Sequence, residues 1–136
     1  MENKHKNFCK LIKRIYYHDT DCGGVVYYAN YLKYLEESRT EYFLQKNIIL
    51  NKLSEEGLLF LVKKVEIDYK APAYYLDQIE IYTQISKIKS ASLEFFQEIK
   101  KKEKILVVAK TILVCVNKEF RPTLIPQNII NVLSDL

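Results

Sequence analysis

One long helical segment followed by a run of strands constrains this chain most. Between Ala29 and Asn47, apolar side chains recur with the period of an amphipathic helix. One stripe of that helix holds Tyr31, Tyr34, Leu35, Ser38 and Tyr42. From Val65 to Val116 the period falls to two, which is typical of strands with one buried face. The pattern predicts an α+β fold in which one central helix packs on one antiparallel sheet.

The segments outside the helix complete this architecture. One strand is expected from Phe8 to Tyr17, and four more follow the helix, at residues 65–69, 79–85, 93–99 and 105–116. Their short connections predict an antiparallel meander, in which Pro72 interrupts pairing between the first two strands of the run. We expect a polar link at residues 51–57, a solvated hairpin turn at the lysine-rich residues 100–104, and a short terminal helix at residues 126–136.

Length and composition limit the class of protein. The chain has 136 residues, of which 49% are hydrophobic, so we expect one domain over residues 1–136. No stretch is apolar enough for a signal sequence or a membrane span. Cys9, Cys22 and Cys115 are odd in number and far apart, which favours free thiols and a cytoplasmic location. The net charge of +4 is too mild to indicate nucleic-acid binding, but it suits a polyphosphate ligand.

The segment that leads into the helix carries the most chemistry. It runs Tyr17-His18-Asp19-Thr20-Asp21-Cys22-Gly23-Gly24-Val25-Val26-Tyr27-Tyr28. A helix N-terminus offers unpaired N–H groups and a partial positive charge, so it can hold a carbonyl oxygen that becomes an oxyanion. An ionised carboxylate beside it can attack a carbonyl or activate water without a histidine. The segment therefore has the outline of an acyl-transfer site.

The same residues also have a purely structural interpretation. Asp19 and Asp21 are of a type favoured in turns and at helix caps, whatever else they do. Gly23 and Gly24 are two of only three glycines, which indicates a backbone with positive φ or a ligand lying against it. The bulky apolar residues that follow are unusual in an exposed connection. Together these features favour a turn that is buried or lines a pocket.

This segment, continued through Ala29, Asn30, Tyr31, Tyr34 and Glu36, resembles the hotdog-fold thioesterases. It resembles in particular the Tol-Pal-associated acyl-CoA thioesterases and the related 4-hydroxybenzoyl-CoA thioesterase. The resemblance implies a hotdog fold, in which a five-stranded antiparallel sheet wraps around the long helix, with a short C-terminal helix. It also implies a homo-oligomer, a dimer or tetramer, with sites at the subunit contacts.

The resemblance further assigns roles to individual residues. It implies that Asp21 is the catalytic acid, acting as nucleophile or as general base toward water, and that the Tyr28 N–H polarises the thioester carbonyl. Tol-Pal-associated members usually carry His at the Tyr28 position, whereas the 4-hydroxybenzoyl branch carries Tyr. The expected reaction hydrolyses an acyl-CoA to a free acid and CoA. No cofactor is expected, because coenzyme A is part of the substrate.

The phosphates of CoA would need basic partners near the mouth of the site. Lys87 and Lys89 are the best candidates, with Arg121 and the lysines at 100–102 behind them. Gly23 and Gly24 are the candidates for contact with the substrate at the turn. A metal site is not expected, because the chain has only two histidines, His5 and His18.

Three alternatives remain open from the sequence. Cys22 beside His18 could be a nucleophile with its base, although no third group is evident to orient the pair. The chain could instead be a non-catalytic scaffold that engages acyl carrier protein or a cell-envelope complex. A dehydratase is the third alternative, but such chemistry usually needs a His base, and the only one near the motif is His18, which precedes the turn.

Overall fold

The structure, a computed structural model, describes residues 8–134 and contains one antiparallel sheet with helices on it. The strands are β1 (Cys9–Arg14), β2 (Leu59–Tyr69), β3 (Gln78–Ile88), β4 (Ser92–Lys101) and β5 (Lys104–Val116), in the spatial order β1-β3-β4-β5-β2. The helices are α1 (Asn30–Gln45), α2 (Leu50–Glu55) and α3 (Gln127–Ser134). The predicted α+β class, with five antiparallel strands, one long helix and a short C-terminal helix, is confirmed.

The α1 helix packs against β1 and β3 through the stripe that its sequence indicates. All five side chains of the predicted stripe are buried, whereas Lys33 and Glu37 on the opposite side are exposed. Near the C-terminal end of the helix, the rings of Phe43 and Phe95 meet edge to face at 5.6 Å. Burial of this stripe, rather than helix propensity, is what holds a helix of this length on the sheet.

A buried polar network joins the middle of α1 to the sheet. Ser38 Oγ lies 2.6 Å from Thr83 Oγ1. Gln97 Nε2 donates to Thr83 Oγ1 at 2.8 Å and to the carbonyl oxygen of Leu35 at 2.9 Å, and Gln97 Oε1 accepts from Arg39 Nη1 at 3.1 Å. All four side chains are buried, so the network fixes how α1 lies over the sheet.

The first strand is shorter than the sequence predicts. It ends at Arg14 rather than Tyr17, because Tyr17–Asp19 form a turn of 3-10 helix instead. The Asp19 carboxylate accepts the Tyr16 N–H at 2.8 Å, which turns the backbone away from the sheet. The predicted polar link at residues 51–57 is also wrong, because α2 occupies most of it and packs Leu50 and Leu53 against the core.

The predicted meander holds only for β3, β4 and β5. The β2 strand does not pair with β3 at all, with or without Pro72, but pairs with β5 at the opposite edge of the sheet. Its other edge has no partner strand in the described part of the chain. The expected single wet face is also wrong for β2, where Leu61, Val62 and Val65 are all exposed. The α1 helix packs mainly on β1 and β3, so it leaves these three side chains of the edge strand uncovered.

The lysine-rich turn joins β4 to β5, as predicted, and Lys102 takes a positive φ there. It is less solvated than expected, because Lys100 is only 3% exposed and Lys101 Nζ donates to Asp77 Oδ1 at 2.7 Å. The terminal helix begins one residue after Pro126, and its predicted last two residues, like His5, lie outside the described range. No helix in residues 8–134 has the length and apolarity needed to cross a membrane.

Candidate active site

The glycine-containing turn folds back into a small hairpin that presents Asp21. The Asp21 N–H donates to the carbonyl oxygen of Val25 at 2.8 Å, and Thr20 pairs with Val26 in an antiparallel bridge. The Asp21 side chain is exposed, and its Oδ1 accepts the Gly23 N–H at 2.8 Å. One carboxylate oxygen is thus held by the turn, and the other makes no hydrogen bond to any described residue. A carboxylate in this position is available to a ligand.

Asp19 has the opposite environment, since its side chain is buried. Its carboxylate accepts the Tyr16 N–H, and its carbonyl oxygen accepts both the Tyr27 N–H at 3.0 Å and Asn30 Nδ2 at 2.9 Å. The Tyr34 hydroxyl is also buried and lacks a hydrogen-bond partner among the described residues. Burial, together with the nearby Asp19 carboxylate, raises the pKa of Tyr34. Asp19 therefore ties the turn to the start of α1.

The two positions of the turn require glycine for different structural reasons. Gly24 has a φ of 82°, a left-handed conformation that side chains resist. A Cβ at Gly23 would instead lie 3.2 Å from Asp21 Oδ1. Glycine at the second position lets the chain turn, and glycine at the first leaves room for the Asp21 carboxylate.

Tyr28 lies two residues before the first residue of α1. Its side chain is 61% exposed, and its N–H makes no hydrogen bond to any described residue. No side chain caps the helix. The start of α1 thus presents a free backbone donor together with the positive end of the helix dipole, on the chain segment that leaves the Asp21 hairpin. Such a donor can stabilise negative charge on a carbonyl oxygen.

Three tyrosines form one wall of a cavity of about 300 Å³ at this end of the sheet. Tyr28 and Tyr31 come from the α1 segment and Tyr69 from the end of β2, with ring centroids of Tyr31 and Tyr69 5.7 Å apart. Burial raises the pKa of Tyr31 and of Tyr69, so both stay neutral at physiological pH. Val26, Lys70, Ala71 and Pro72 complete the lining, so the cavity offers a mostly apolar surface to an acyl or aryl group, with one cationic side chain beside it.

Lys87 and Lys89 lie far from Asp21 in the same chain. Lys87 is near the end of β3 and Lys89 directly follows the strand, whereas the Asp77 carbonyl oxygen, just before the start of β3, accepts the Ile15 N–H beside the hairpin. Ten residues of strand separate Asp77 from Lys87, roughly 30 Å. A bulge at residues 85–87 turns Lys87 outward opposite Glu94. With Lys63, the two lysines line a groove of about 310 Å³ on the outer face of the sheet.

The pairing of Cys22 with His18 finds no support in the geometry. The Cys22 thiol is exposed and makes no hydrogen bond to any described residue, and the His18 ring stacks on Tyr16 with Nε2 3.8 Å from Asp19 Oδ1. Within residues 8–134, no three His, Cys, Asp or Glu side chains are grouped closely enough to hold a metal ion.

Two residues of this region escape sequence reasoning. Tyr69 belongs to a strand distant in sequence, and its hydroxyl contacts the Tyr28 carbonyl oxygen. Arg39 is a charged residue at helical spacing between Leu35 and Phe43, both fully buried. That spacing was a signal, because an arginine in an apolar stripe of a buried helix is expected to be buried too.

The comparisons with known proteins agree on one family. A model of the thioesterase-like superfamily matches residues 16–133. The acyl-CoA thioester hydrolase YbgC of Escherichia coli O6:H1 is 38% identical over 119 residues, which cover 86% of this chain and 89% of that protein. A probable thioesterase from Bartonella henselae superposes with a TM-score of 0.84 at 33% identity, over 88% of this chain and 99% of that one.

A more distant structure shares the fold. A 4-hydroxybenzoyl-CoA thioesterase is 19% identical and superposes with a TM-score of 0.87 over 94% of this chain and 99% of that one. The strand order and the central helix are therefore those of the hotdog fold. The match of the family model to most of the chain, with relatives above 30% identity, shows that this protein belongs to the thioesterase-like superfamily and is a thioesterase of the hotdog fold.

Proposed function

We propose that this protein hydrolyses acyl-CoA to a free acid and CoA, with Asp21 as the catalytic acid. The observation that carries the proposal is the exposed Asp21 carboxylate, held by the Gly23 N–H on a hairpin that leads directly into the uncapped start of α1. The similarity to the acyl-CoA thioester hydrolase YbgC supports the substrate class. The carboxylate and the helix start supply the negative and positive groups that thioester cleavage needs.

The reaction then proceeds by one of two routes. As general base, Asp21 takes a proton from water while the hydroxyl oxygen bonds to the thioester carbon. As nucleophile, Asp21 itself bonds to that carbon, and water later hydrolyses the resulting anhydride. In both routes the carbonyl oxygen gains negative charge, which the Tyr28 N–H stabilises, and the C–S bond breaks to release CoA thiolate. One such donor is typically worth about 100- to 1,000-fold in turnover.

We also propose that the working unit is a homo-oligomer, formed as a dimer through β2 or as a tetramer through a further contact. The free edge of β2 and its exposed Leu61, Val62 and Val65 support a second copy as the partner. Across a twofold axis normal to the sheet, two β2 strands pair antiparallel and extend it. The Tyr69 end of one strand then lies beside the Leu59 end of the other.

In this dimer, Lys87 and Lys89 of one subunit would approach the Asp21 site of the other, although they lie far from Asp21 of their own chain. Lys63 belongs to the first half of β2, and it lines the same groove as Lys87 and Lys89. In the antiparallel dimer, the partner's groove lies toward the Asp21 end of this chain. We therefore propose that Lys87 and Lys89 hold the CoA phosphates of a substrate whose acyl group is bound by the other subunit, against the Gly23 and Gly24 turn.

The remaining features of the proposal follow from the same chemistry. A carboxylate and a backbone donor require no cofactor beyond the CoA of the substrate itself. The free thiols of Cys9, Cys22 and Cys115 suit a reducing compartment such as the cytoplasm. The basic groove also suits an acidic acyl carrier protein as an alternative donor of the acyl group.

The test measures free-thiol release from short, long and aromatic acyl-CoAs by wild type and Asp21→Asn. We expect turnover by wild type and at least a ~100-fold loss in the variant, because the amide keeps the shape and removes the charge. Glu119→Gln, the same chemical change at an exposed turn, is the control. Activity of Asp21→Asn within a few-fold of wild type would refute the role of Asp21. No turnover by wild type on any substrate would favour the carrier-binding scaffold.

A further inference from the structure

Arg39 is a buried cation with too few partners for its charge. It lies in the middle of α1 and is only 9% exposed. Its one hydrogen bond runs from Nη1 to Gln97 Oε1 at 3.1 Å. No carboxylate of the described residues lies within salt-bridge distance of it; burial lowers the pKa of its guanidinium, and the nearby Glu36 carboxylate offsets part of that effect. Buried charges in proteins are ordinarily paired or bound to a ligand, because an unpaired one is costly.

The buried network does not require a charge at this position. Gln97 Oε1 needs one N–H donor, which a neutral side chain could supply, and Gln97 Nε2 already bonds to Thr83 and to the Leu35 carbonyl oxygen. A guanidinium has five N–H groups in a planar fork that matches a carboxylate. The groups that Gln97 does not use are therefore available to something else.

A cavity lies beside Arg39. It has a volume of about 130 Å³, and its walls include Phe43 and Phe60, whose rings stack at 5.8 Å, together with Val62 and Leu113. An apolar cavity of about 150 Å³ can hold a benzene ring, so this one has room for the end of an organic group. Thr40 and Glu36 also line it, and the aromatic and aliphatic walls beside the guanidinium favour an apolar ligand with an anionic end.

The cavity also lies on the same two elements as the catalytic end. The α1 segment and β2 line the cavity near Asp21 through Tyr28, Tyr31 and Tyr69. The same two elements line the cavity beside Arg39 through Arg39 itself and Phe60. Arg39 is nine residues beyond Asn30, which is about 14 Å along the helix axis. An acyl group that begins at the start of α1 and lies along α1 and β2 points toward Arg39.

We propose that the Arg39 cavity receives the far end of the acyl group and that this end carries a carboxylate. The substrate class is then an acyl-CoA whose chain ends in a second, free acid group. This inference rests on the proposed function and deepens it. Glu36 lines the same cavity and is exposed, so its charge weakens the attraction for an anion and limits binding to ligands that reach the guanidinium.

The test compares pairs of acyl-CoAs of equal chain length that end either in a methyl group or in a carboxylate, over short, medium and long chains. The measured quantity is the ratio of kcat/KM for the two members of each pair. We expect wild type to favour the carboxylate member at the length that reaches Arg39. In Arg39→Gln this ratio should fall by roughly 10- to 100-fold, the value of a hydrogen bond to a charged group. Arg39→Lys should keep part of the preference.

Glu36→Gln provides the matched opposite change, and the ratio should rise several-fold because a repulsive charge is removed. It also covers the case in which the Arg39 variants fail to fold. Absence of any carboxylate preference in wild type would overturn the inference while leaving the thioesterase proposal standing, provided that the methyl-ended members turn over. An equal loss on both members of a pair in Arg39→Gln would also overturn it, since that is the result of a merely structural role. No turnover of any pair by wild type would overturn both proposals.

Discussion

The Tyr69 hydroxyl donates a hydrogen bond to the carbonyl oxygen of Tyr28 at 3.3 Å, and this contact joins the end of β2 to the start of α1. The two residues are far apart in sequence, yet their rings also meet edge to face at 6.1 Å. The strand with the free edge is therefore the strand that reaches the candidate active site. A change in the strand that pairs with β2 is therefore expected to alter the geometry at the start of α1.

Val65→Lys is expected to prevent assembly through β2. Val65 is 36% exposed in the single chain, so a lysine there is tolerated by the monomer but is unfavourable against a second copy. We expect light scattering to show a smaller particle for this variant and thiol release to fall with it. Val132→Lys, at a site on α3 that is 38% exposed, is the matched control and should change neither. An unchanged mass for Val65→Lys would contradict assembly through this edge.

Asp19→Ala and Asp21→Ala are expected to separate stability from turnover. Asp19 is buried and holds the Tyr16 N–H, so its loss should lower the free energy of unfolding by about 1–3 kcal/mol. Asp21 is exposed, and its loss should abolish turnover with little change in the urea midpoint. The measurements are urea denaturation and thiol release on both variants. If Asp19→Ala is fully stable, its anchoring role is wrong.

Gly24→Ala is expected to lower mainly stability, whereas Gly23→Ala is expected to lower mainly turnover. An alanine at position 24 has open space for its methyl group. Its backbone, however, must keep a φ of 82°, which costs roughly 1–2 kcal/mol of stability. The methyl group at position 23 would press on Asp21 Oδ1 at 3.2 Å, so turnover should fall more than stability. Thermal unfolding and thiol release on the two variants test the distinction. Equal effects of the two variants on both measurements would count against it.

Only Cys22 is expected to react with a thiol reagent in the native protein. Cys9 and Cys115 are buried, and burial raises the pKa of each thiol, so both are protected as well as poorly ionised. Titration with a chromogenic disulfide should give one thiol per chain before unfolding and three after it. Cys22→Ser should remove the fast-reacting thiol and retain turnover. Loss of turnover in that variant would restore the cysteine-nucleophile alternative.

Gln97→Leu should be among the more destabilising single changes in the sheet. Gln97 is fully buried, and its amide bonds to Thr83, Arg39 and the carbonyl oxygen of Leu35. Leucine would leave these groups without partners, at a cost of about 1–3 kcal/mol for each that water cannot reach. Urea denaturation measures the loss, with Gln84→Leu on the half-buried face of β3 as the control. Comparable midpoints for the two variants would show that the network contributes little.

The sequence predicts local features of this fold well, because they depend on periodicity. The buried stripe of α1 and the β4–β5 turn follow directly from the spacing of apolar and charged residues. The pairing of β2 with β5 does not, since strands with alternating patterns are compatible with several sheet orders. The short helix α2 was hidden by the polar appearance of residues 51–57, although Leu53 packs on the core.

The candidate site was predictable only in part for a related reason. Asp21, Gly23 and Gly24 are adjacent in sequence, and their turn chemistry is local. Arg39 and Tyr69 become part of the region only when α1 and β2 come together, which no single segment encodes. Lys87 and Lys89 illustrate the converse, because a strand end that looks suitable in the sequence lies at the other end of the sheet.

The sheet order has a consequence for synthesis of the chain. The β2 strand leaves the ribosome well before β5, its one partner strand within residues 8–134, and the pairing joins residues as distant as Leu59 and Val116. Contacts of such long range form slowly, and an unpaired apolar strand is open to association with other chains until they do. A nascent chain that stalls before β5 would therefore contain the Asp21 hairpin and the α1 helix. Its Tyr69 would not yet be held beside Tyr28 and Tyr31, so the tyrosine wall of the cavity would be incomplete.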